Sequence, residues 1–289
     1  MSILQILILA FIQGAAELLP VSSSAHVIVA SKLMGLDPTS PQMTLLLVML
    51  HTGTMFAVIL FFWKSWMESF FSSWKTFWNA VKMVVIATFF TGVVGLSLKY
   101  FIEKVIMGHA HAEIEHLFGN LFLISLALGA VGIFIISAHF ISQRAISAGK
   151  PVGEIGLKES AWIGIVQGIC LPFRGFSRSG ATISTGLILG VVKARAEEFS
   201  FALAVVLTPA VIGREVLRLL KAEKASLVDV SGLAALFTPG LIGMGLSFIS
   251  GWLALRWVSN WLEHGRWHFF GIYCLFASAV VFLLHRAGY

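Results

Sequence analysis

The sequence predicts an all-α polytopic membrane protein, with about six transmembrane helices and two re-entrant helical hairpins arranged as an inverted-topology repeat. Three observations carry that expectation. Of 289 residues, 58% are hydrophobic and only 12% are charged, with a mean hydropathy of +0.91; a soluble domain holds roughly twice that charged fraction. Apolar runs recur from end to end. Two of those runs are broken by a proline beside a cluster of hydroxyl and charged residues. One integrated membrane domain covering residues 1–289 is expected.

Charge excludes one class of partner. The net charge of +6 and the pI near 9.5 would suit nucleic acid. The basic residues, however, are scattered between apolar segments and form no stripe or motif. Basic loops are what the positive-inside rule gives a membrane protein, and they suit anionic lipid head groups. Cys170 and Cys274 lie in apolar segments far from any CxxC pattern, so they read as small buried residues. The N-terminus is not expected to be a cleaved signal, because it lacks a basic leader and Gln13 and Glu17 interrupt its apolar stretch.

The first apolar segment runs from about Ser2 to Leu19 and is broken at Pro20. A second short piece, Val27 to Met34, ends at Gly35 before Asp37-Pro38-Thr39-Ser40-Pro41. A crossing needs ~20 residues, so two short halves joined by a polar turn read as a re-entrant hairpin. Crossings are then expected at Leu45 to Trp63, Met83 to Phe101 and Leu117 to Ser137. Between the first two, Lys64, Lys75 and Lys82 with Trp66, Trp74 and Trp78 look interfacial. The next loop holds Glu103, His109, His111, Glu113, Glu115 and His116, and a solvated loop accounts for it more simply than a metal cluster. After a polar connector from Ser142 to Lys158, a second broken segment follows. Trp162 to Leu171 stops at Pro172, and another short piece runs on to Val192. Three more crossings are expected near Phe199 to Leu219, Leu233 to Leu255 and Phe269 to Leu284.

The two broken segments resemble each other. Ile12-Gln13-Gly14 matches Val166-Gln167-Gly168, Leu19-Pro20 matches Leu171-Pro172, and Ser22 and Ser24 match Ser177 and Ser179. Each copy precedes three crossings, so repeats of roughly 1–140 and 155–289 would sit in opposite orientations. With the N-terminus outside, ten basic residues fall on the inner side and eight on the outer, a small bias.

Polar groups at membrane depth are costly and mark functional sites. Serine is a good N-cap, and a helix N-terminus offers free N–H groups and a positive dipole end. Two such ends facing one cavity suit phosphate. Arg178 adds a forked cation matched to phosphate oxygens, and Gly175 and Gly180 let backbone approach closely. With no carboxylate in its own segment, Arg178 calls for a bound anion or a partner from the other repeat. Gln13 and Glu17 share a helix face. Glu17 can serve as a base or as a metal ligand. Ser22 or Ser23 can be a nucleophile once a base takes its proton, and His26 can shuttle a proton. Ser31 and Ser184 are expected only to satisfy local bonds. Carboxylate, hydroxyl and imidazole beside an anion cradle make phosphoryl hydrolysis the leading reaction class.

At these residues the chain closely resembles the undecaprenyl-diphosphate phosphatases of the bacitracin-resistance type. Their (E/Q)-x-x-x-E motif, continuing into L-P-V-S-S-x-x-H, stands here as Gln13 to Glu17 and then Leu19-Pro20-Val21-Ser22-Ser23-Ser24-Ala25-His26. Their P-G-x-S-R-S-x-x-T motif stands as Gly175-Phe176-Ser177-Arg178-Ser179-Gly180-Ala181-Thr182, and Glu198-Phe199-Ser200-Phe201 also looks like a family segment. The resemblance implies a multi-pass hydrolase of the bacterial inner membrane with its site open to the periplasm. It would act on a polyprenyl diphosphate lipid, releasing one phosphate to return the monophosphate carrier to peptidoglycan synthesis. It implies a divalent cation, Mg2+ or Ca2+, with Glu17 as a ligand. By position, the catalytic set is Glu17, Ser23 and His26, with Ser23 as nucleophile. The phosphate contacts are Ser22, Ser177, Arg178, Ser179, Thr182 and Arg174, and Gln13 supports Glu17. A homo-oligomer is left open.

Two departures stand out. Gln13 replaces the glutamate of many members, removing one negative charge, and Arg174 stands where the motif has proline. The rival readings are a transporter or flippase of a phosphorylated polyprenyl lipid, since inverted repeats also build transporters, and a non-catalytic lipid-binding protein.

Overall fold

The computed structural model describes residues 1–38, 40–106, 119–225 and 230–289. Its helices are α1 (Ile3–Leu18), α2 (Ser23–Leu33), α3 (Pro41–Ser69), α4 (Trp74–Phe101), α5 (Leu121–Ser147), α6 (Leu157–Cys170), α7 (Arg178–Ile188), α8 (Lys193–Ala225), α9 (Val230–Glu263) and α10 (His268–Arg286). A short π-helical turn, Ile102–Ile106, continues α4. The chain is all-α, and five helices (α3, α4, α5, α9 and α10) are long and apolar enough to cross a membrane. The sixth long helix, α8, has 33 residues and carries Pro209 inside it.

The four short helices are the broken segments. α1 has 16 residues, α2 has 11, α6 has 14 and α7 has 11. At 1.5 Å per residue even the longest reaches only about 24 Å, short of a ~30 Å hydrocarbon core. Each pair doubles back. Gln5 Nε2 at the start of α1 donates to the Met34 carbonyl at the end of α2, at 3.3 Å. In the second pair, Gly153 N donates to Gly190 O at 2.8 Å and Val192 N donates to Gly153 O at 2.9 Å, which ties the entry of α6 to the exit of α7.

The hairpins enter from opposite ends of the bundle. Ile6, Val27 and Met34 pack with Met43 and Leu46 at the start of α3. At the other end, Ile155 and Ile163 pack with Phe199 at the start of α8, and α8 begins where α3 finishes. That junction is polar. Glu198, almost fully buried, accepts hydrogen bonds from Ser65 and Ser69 of α3 and pairs with Arg195 at 2.8 Å. Arg195 also meets Glu154 at 3.1 Å and Ser69.

This network explains a difference from the expected boundaries. The apolar run of α3 stops near Trp63, but the helix continues to Ser69 because Ser65 and Ser69 must reach Glu198. Trp66, expected at the interface, is buried instead. It stacks on Phe62 at 5.7 Å and donates Nε1 to the Glu198 carbonyl at 3.4 Å. In the acidic loop, Glu103 pairs with Lys99 at 3.4 Å, while His109, His111, Glu113, Glu115 and His116 lie outside the described residues.

Small residues let the short helices press on the long ones. A Cβ on Gly14 of α1 would stand 3.0 Å from the Ser247 Cα of α9, and one on Gly164 of α6 would stand 2.7 Å from the Ala87 Cα of α4. α5 and α10 meet the same way: a Cβ on Gly271 would stand 2.7 Å from Gly132 O, and one on Gly132 would stand 2.9 Å from Gly271 O. In lipid, where apolar burial between helices gains little, such close backbone approach supplies the packing.

Three stability outcomes follow. Gly271→Val should lower stability in detergent by about 1–3 kcal/mol, because the α5–α10 contact has no room for the side chain. Gly92→Ala, at a position with open space around it, should leave the melting temperature unchanged or raise it slightly. Arg195→Ala should cost ~2 kcal/mol by leaving Glu198 buried without its cation. Thermal unfolding followed by circular dichroism or scanning fluorimetry reads all three.

Candidate active site

The site forms where the turns of the two hairpins meet. α1 stops at Leu18 because Pro20 lacks the N–H that would continue it. The chain then tightens: Val21 N donates to Leu19 O at 2.8 Å, a three-residue turn. Ser22 follows with φ of +68°, the only non-glycine residue with positive φ among the described residues. Such a conformation is disfavoured for a side chain with Cβ and clusters at functional sites. Its effect is to aim α2 back, with Ser23 as its first residue.

Across the gap, Gly175 turns the chain with φ of +103°. A Cβ there would stand 2.6 Å from Ile124 O, so glycine is required on both counts. Ser177 caps α7 by accepting from Gly180 N at 3.2 Å. The turns touch directly. Ser179 Oγ donates to Leu19 O at 3.4 Å, and a Cβ on Gly180 would stand 3.1 Å from Pro20 O. Cys274 Sγ of α10 donates to Pro20 O at 3.5 Å from behind.

Glu17 sits at the centre. Its Oε2 accepts from Ser23 Oγ at 2.5 Å and from Gln13 Nε2 at 3.1 Å. Its Oε1 accepts from Arg178 Nη2 at 3.1 Å, a contact between residues 161 positions apart. His51 of α3 brings Nε2 to 3.6 Å from Oε2. Both side chains of the Glu17–Arg178 pair are largely covered, at 17% and 23% exposure. The second guanidinium nitrogen, Nη1, is buried without a hydrogen-bond partner.

The structure therefore brings together Gln13, Glu17, Ser23 and Arg178. Ser177 and Ser179 are buried beside them, their hydroxyls 3.4 Å apart, and Ser22 lies 3.2 Å from Ser24 Oγ. α2 has no side-chain cap, so its first N–H groups are free to meet an anion. Thr182 faces the other way. Its hydroxyl donates to Arg178 O at 2.8 Å and meets Ser200 Oγ at 2.6 Å, which braces the backbone that carries Arg178. Arg174 is exposed on the loop before Gly175.

His26 does not meet Ser23 or Glu17 through a hydrogen bond. Its Nδ1 lies 2.8 Å from Ser22 O, and a carbonyl only accepts, so Nδ1 carries the proton. Nε2 of the neutral ring then accepts from Tyr273 OH at 2.7 Å, and the two rings stack at 5.6 Å. The carboxylate beside Ser23 is Glu17, and His26 supports the Ser22 turn. The local reading of Ser31 matches the structure, where its hydroxyl donates to Val27 O at 2.7 Å; Ser184 instead accepts from Trp267 Nε1 at 3.0 Å.

Sequence reasoning missed His51 and Tyr273. Each stands alone in an apolar run, and only packing brings it to the site. A lone histidine at membrane depth in α3 was the available signal.

The family model for the bacitracin resistance protein BacA matches residues 6–280. Undecaprenyl-diphosphatase 2 of Acinetobacter baylyi is 57% identical over 98% of both chains. The undecaprenyl-diphosphatases of Desulforapulum autotrophicum and Methanobrevibacter smithii are 32% and 31% identical, over 95% and 98% of both chains. With a family match across nearly its whole length and both motifs converging on one carboxylate, this chain belongs to the BacA bacitracin resistance family.

Proposed function

We infer that this chain is an undecaprenyl-diphosphate phosphatase, which releases inorganic phosphate from the lipid diphosphate and returns undecaprenyl phosphate. The observation that carries the reading is the double use of Glu17: a hydroxyl nucleophile on one carboxylate oxygen and an arginine from the second hairpin on the other. A mere lipid-binding site has no need of a serine hydroxyl 2.5 Å from a carboxylate.

The residues divide the work. Arg178, through Nη1, and the N–H groups opening α2 and α7 bind the terminal phosphate. Glu17 takes the Ser23 proton as Oγ attacks the terminal phosphorus, and the bond to the bridging oxygen breaks. Undecaprenyl phosphate leaves, and a phosphoserine remains. Glu17 passes the Ser23 proton to the departing lipid phosphate. It then takes a proton from water as the water oxygen attacks the phosphoserine phosphorus, and returns it to Ser23 Oγ as the P–Oγ bond breaks and inorganic phosphate leaves. Thr182 and Ser200 position Arg178, and His26 with Tyr273 fixes the turn at Ser22.

A divalent cation fits this donor set. No group of three or more His, Cys, Asp or Glu side chains converges among the described residues. One carboxylate with Gln13 and Ser23 beside it supplies part of a shell that the diphosphate oxygens would complete, the usual manner for Mg2+. When bound, the cation would neutralise charge building on the leaving phosphate. Residues 1–140 and 155–289 are read as inverted repeats that each supply half of the site. The protein is a multi-pass membrane protein; its place in the bacterial inner membrane, with the site toward the periplasm, belongs to the same proposal.

Phosphate release from polyprenyl diphosphate in detergent tests the reading, since a pure transporter releases none. Glu17→Gln and Ser23→Ala should each lower turnover by about 10²- to 10⁴-fold. Arg178→Ala should lower it by about 10²- to 10³-fold while the protein still inserts and purifies. Unaltered turnover in Arg178→Ala would remove the phosphate-clamp role. Acid quench with substrate labelled at the terminal phosphate should trap label on the protein, absent in Ser23→Ala; turnover without trapped label would point to direct attack by water.

A further inference from the structure

A cavity of about 530 Å³ opens at the end of the bundle where the second hairpin enters. Three helices and a turn line it: His139 and Gln143 of α5, Lys193 of α8, Glu263 of α9, and His264 and Gly265 of the turn before α10. Lys193 directly follows Val192, whose N–H is tied to Gly153 at the entry of α6. None of these six residues belongs to the Glu17 site or to the Glu198 junction.

Two opposite charges face this space without neutralising each other. Among the described residues, Lys193 and Glu263 pair neither with one another nor with any other side chain. Glu263 is exposed at the rim, but Lys193 is half-buried. An ammonium partly withdrawn from water, with no anion beside it, carries a desolvation cost that a bound anion would offset. Gln143 converges on the same point. A Cβ on Gly265 would stand 3.7 Å from Gln143 Nε2 and 4.0 Å from Lys193 Nζ, so both donors border the room that this glycine leaves open. α8 and α10 also begin here, and α10 has no side-chain cap; helix starts favour phosphate.

One wall of the cavity borders lipid. The His139 and His268 rings stand 4.5 Å apart, Phe140 lies 5.2 Å from His139, and Phe269 lies 4.3 Å from His268. Phe140 and Phe269 are 55% and 46% exposed. Exposed aromatic rings beside polar groups mark a membrane–water interface. A site for soluble phosphate has no use for them, whereas the chains of a lipid would lie along them.

We propose that this cavity holds the headgroup of a phosphoethanolamine-type lipid, its phosphate on Lys193 and Gln143 and its ammonium on Glu263. One lysine and one carboxylate match a zwitterion. A purely anionic headgroup would leave Glu263 facing like charge.

The purified full-length protein is titrated in detergent with phosphatidylethanolamine, phosphatidylcholine or phosphatidylglycerol of the same chain length and read by native mass spectrometry. Phosphatidylethanolamine should bind at least about threefold tighter than either other lipid, since choline lacks N–H donors for Glu263 and glycerol lacks the cation. Lys193→Ala should weaken phosphatidylethanolamine binding at least about fivefold. Glu263→Gln should bring it down to the level of phosphatidylglycerol. Arg286→Ala, at the far end of α10, should change neither. Phosphatidylglycerol binding as tightly as phosphatidylethanolamine overturns the proposal with no variant required. Binding untouched by Lys193→Ala or by Glu263→Gln overturns it as well. Displacement of the lipid by excess inorganic phosphate would make this a soluble-phosphate site and overturn the lipid assignment.

Discussion

The Glu17 carboxylate is where the molecule comes together. One oxygen serves its own hairpin, through Ser23 and Gln13, and the other serves the opposite hairpin, through Arg178. Neither turn is viable alone. A buried carboxylate without a cation, or a buried guanidinium without an anion, would bear a desolvation penalty of several kcal/mol. The pair compensates for this only while both hairpins hold their depth. That requirement reaches outward to the glycine contacts of α1 with α9 and of α6 with α4, which fix how far each short helix inserts. The hydroxyls of the two turns are placed by the same constraint, since Ser179 and Leu19 touch across the junction.

A second polar junction, around Glu198, lies at the end of the bundle where the second hairpin enters. It differs in kind. Arg195 there meets carboxylates from two segments and a hydroxyl from a third, and none of its buried nitrogens lacks a partner. Arg178 keeps one buried nitrogen with no partner. An arginine with no buried nitrogen left unpaired holds structure; one with a buried nitrogen unpaired has capacity for an anion. The contrast separates the two clusters by their hydrogen bonding rather than by their residue types.

Much of this was legible in the chain. The breaks at Pro20 and Pro172 locate both hairpins, because a missing N–H ends a helix wherever it falls. The spacing of Gln13 and Glu17 places them on one helix face, and the lack of a local carboxylate for Arg178 calls for a partner from the other half, which is Glu17. Helix ends were less legible. The apolar run of α3 stops near Trp63, yet polar partners on α8 draw six further residues into the helix. Periodicity reports lipid contact, and it carries no record of a hydrogen bond to a residue more than a hundred positions away. His51 and Tyr273 escaped for the same reason. The orientation of His26 depended on a carbonyl and a phenol that no spacing rule could pair.

Ser22 has a consequence for which residues the chain can accept. Its left-handed backbone leaves the position to residues that tolerate that geometry, chiefly glycine and, less easily, asparagine or aspartate. Aspartate would set a negative charge at the open N-terminus of α2, where substrate phosphate belongs, and would compete with it. Glycine would relax the backbone but also free the turn that aims Ser23. The sequence space around the first motif is therefore narrow for two unrelated reasons, one steric and one electrostatic. A serine that makes no cap of its own is a compromise between them.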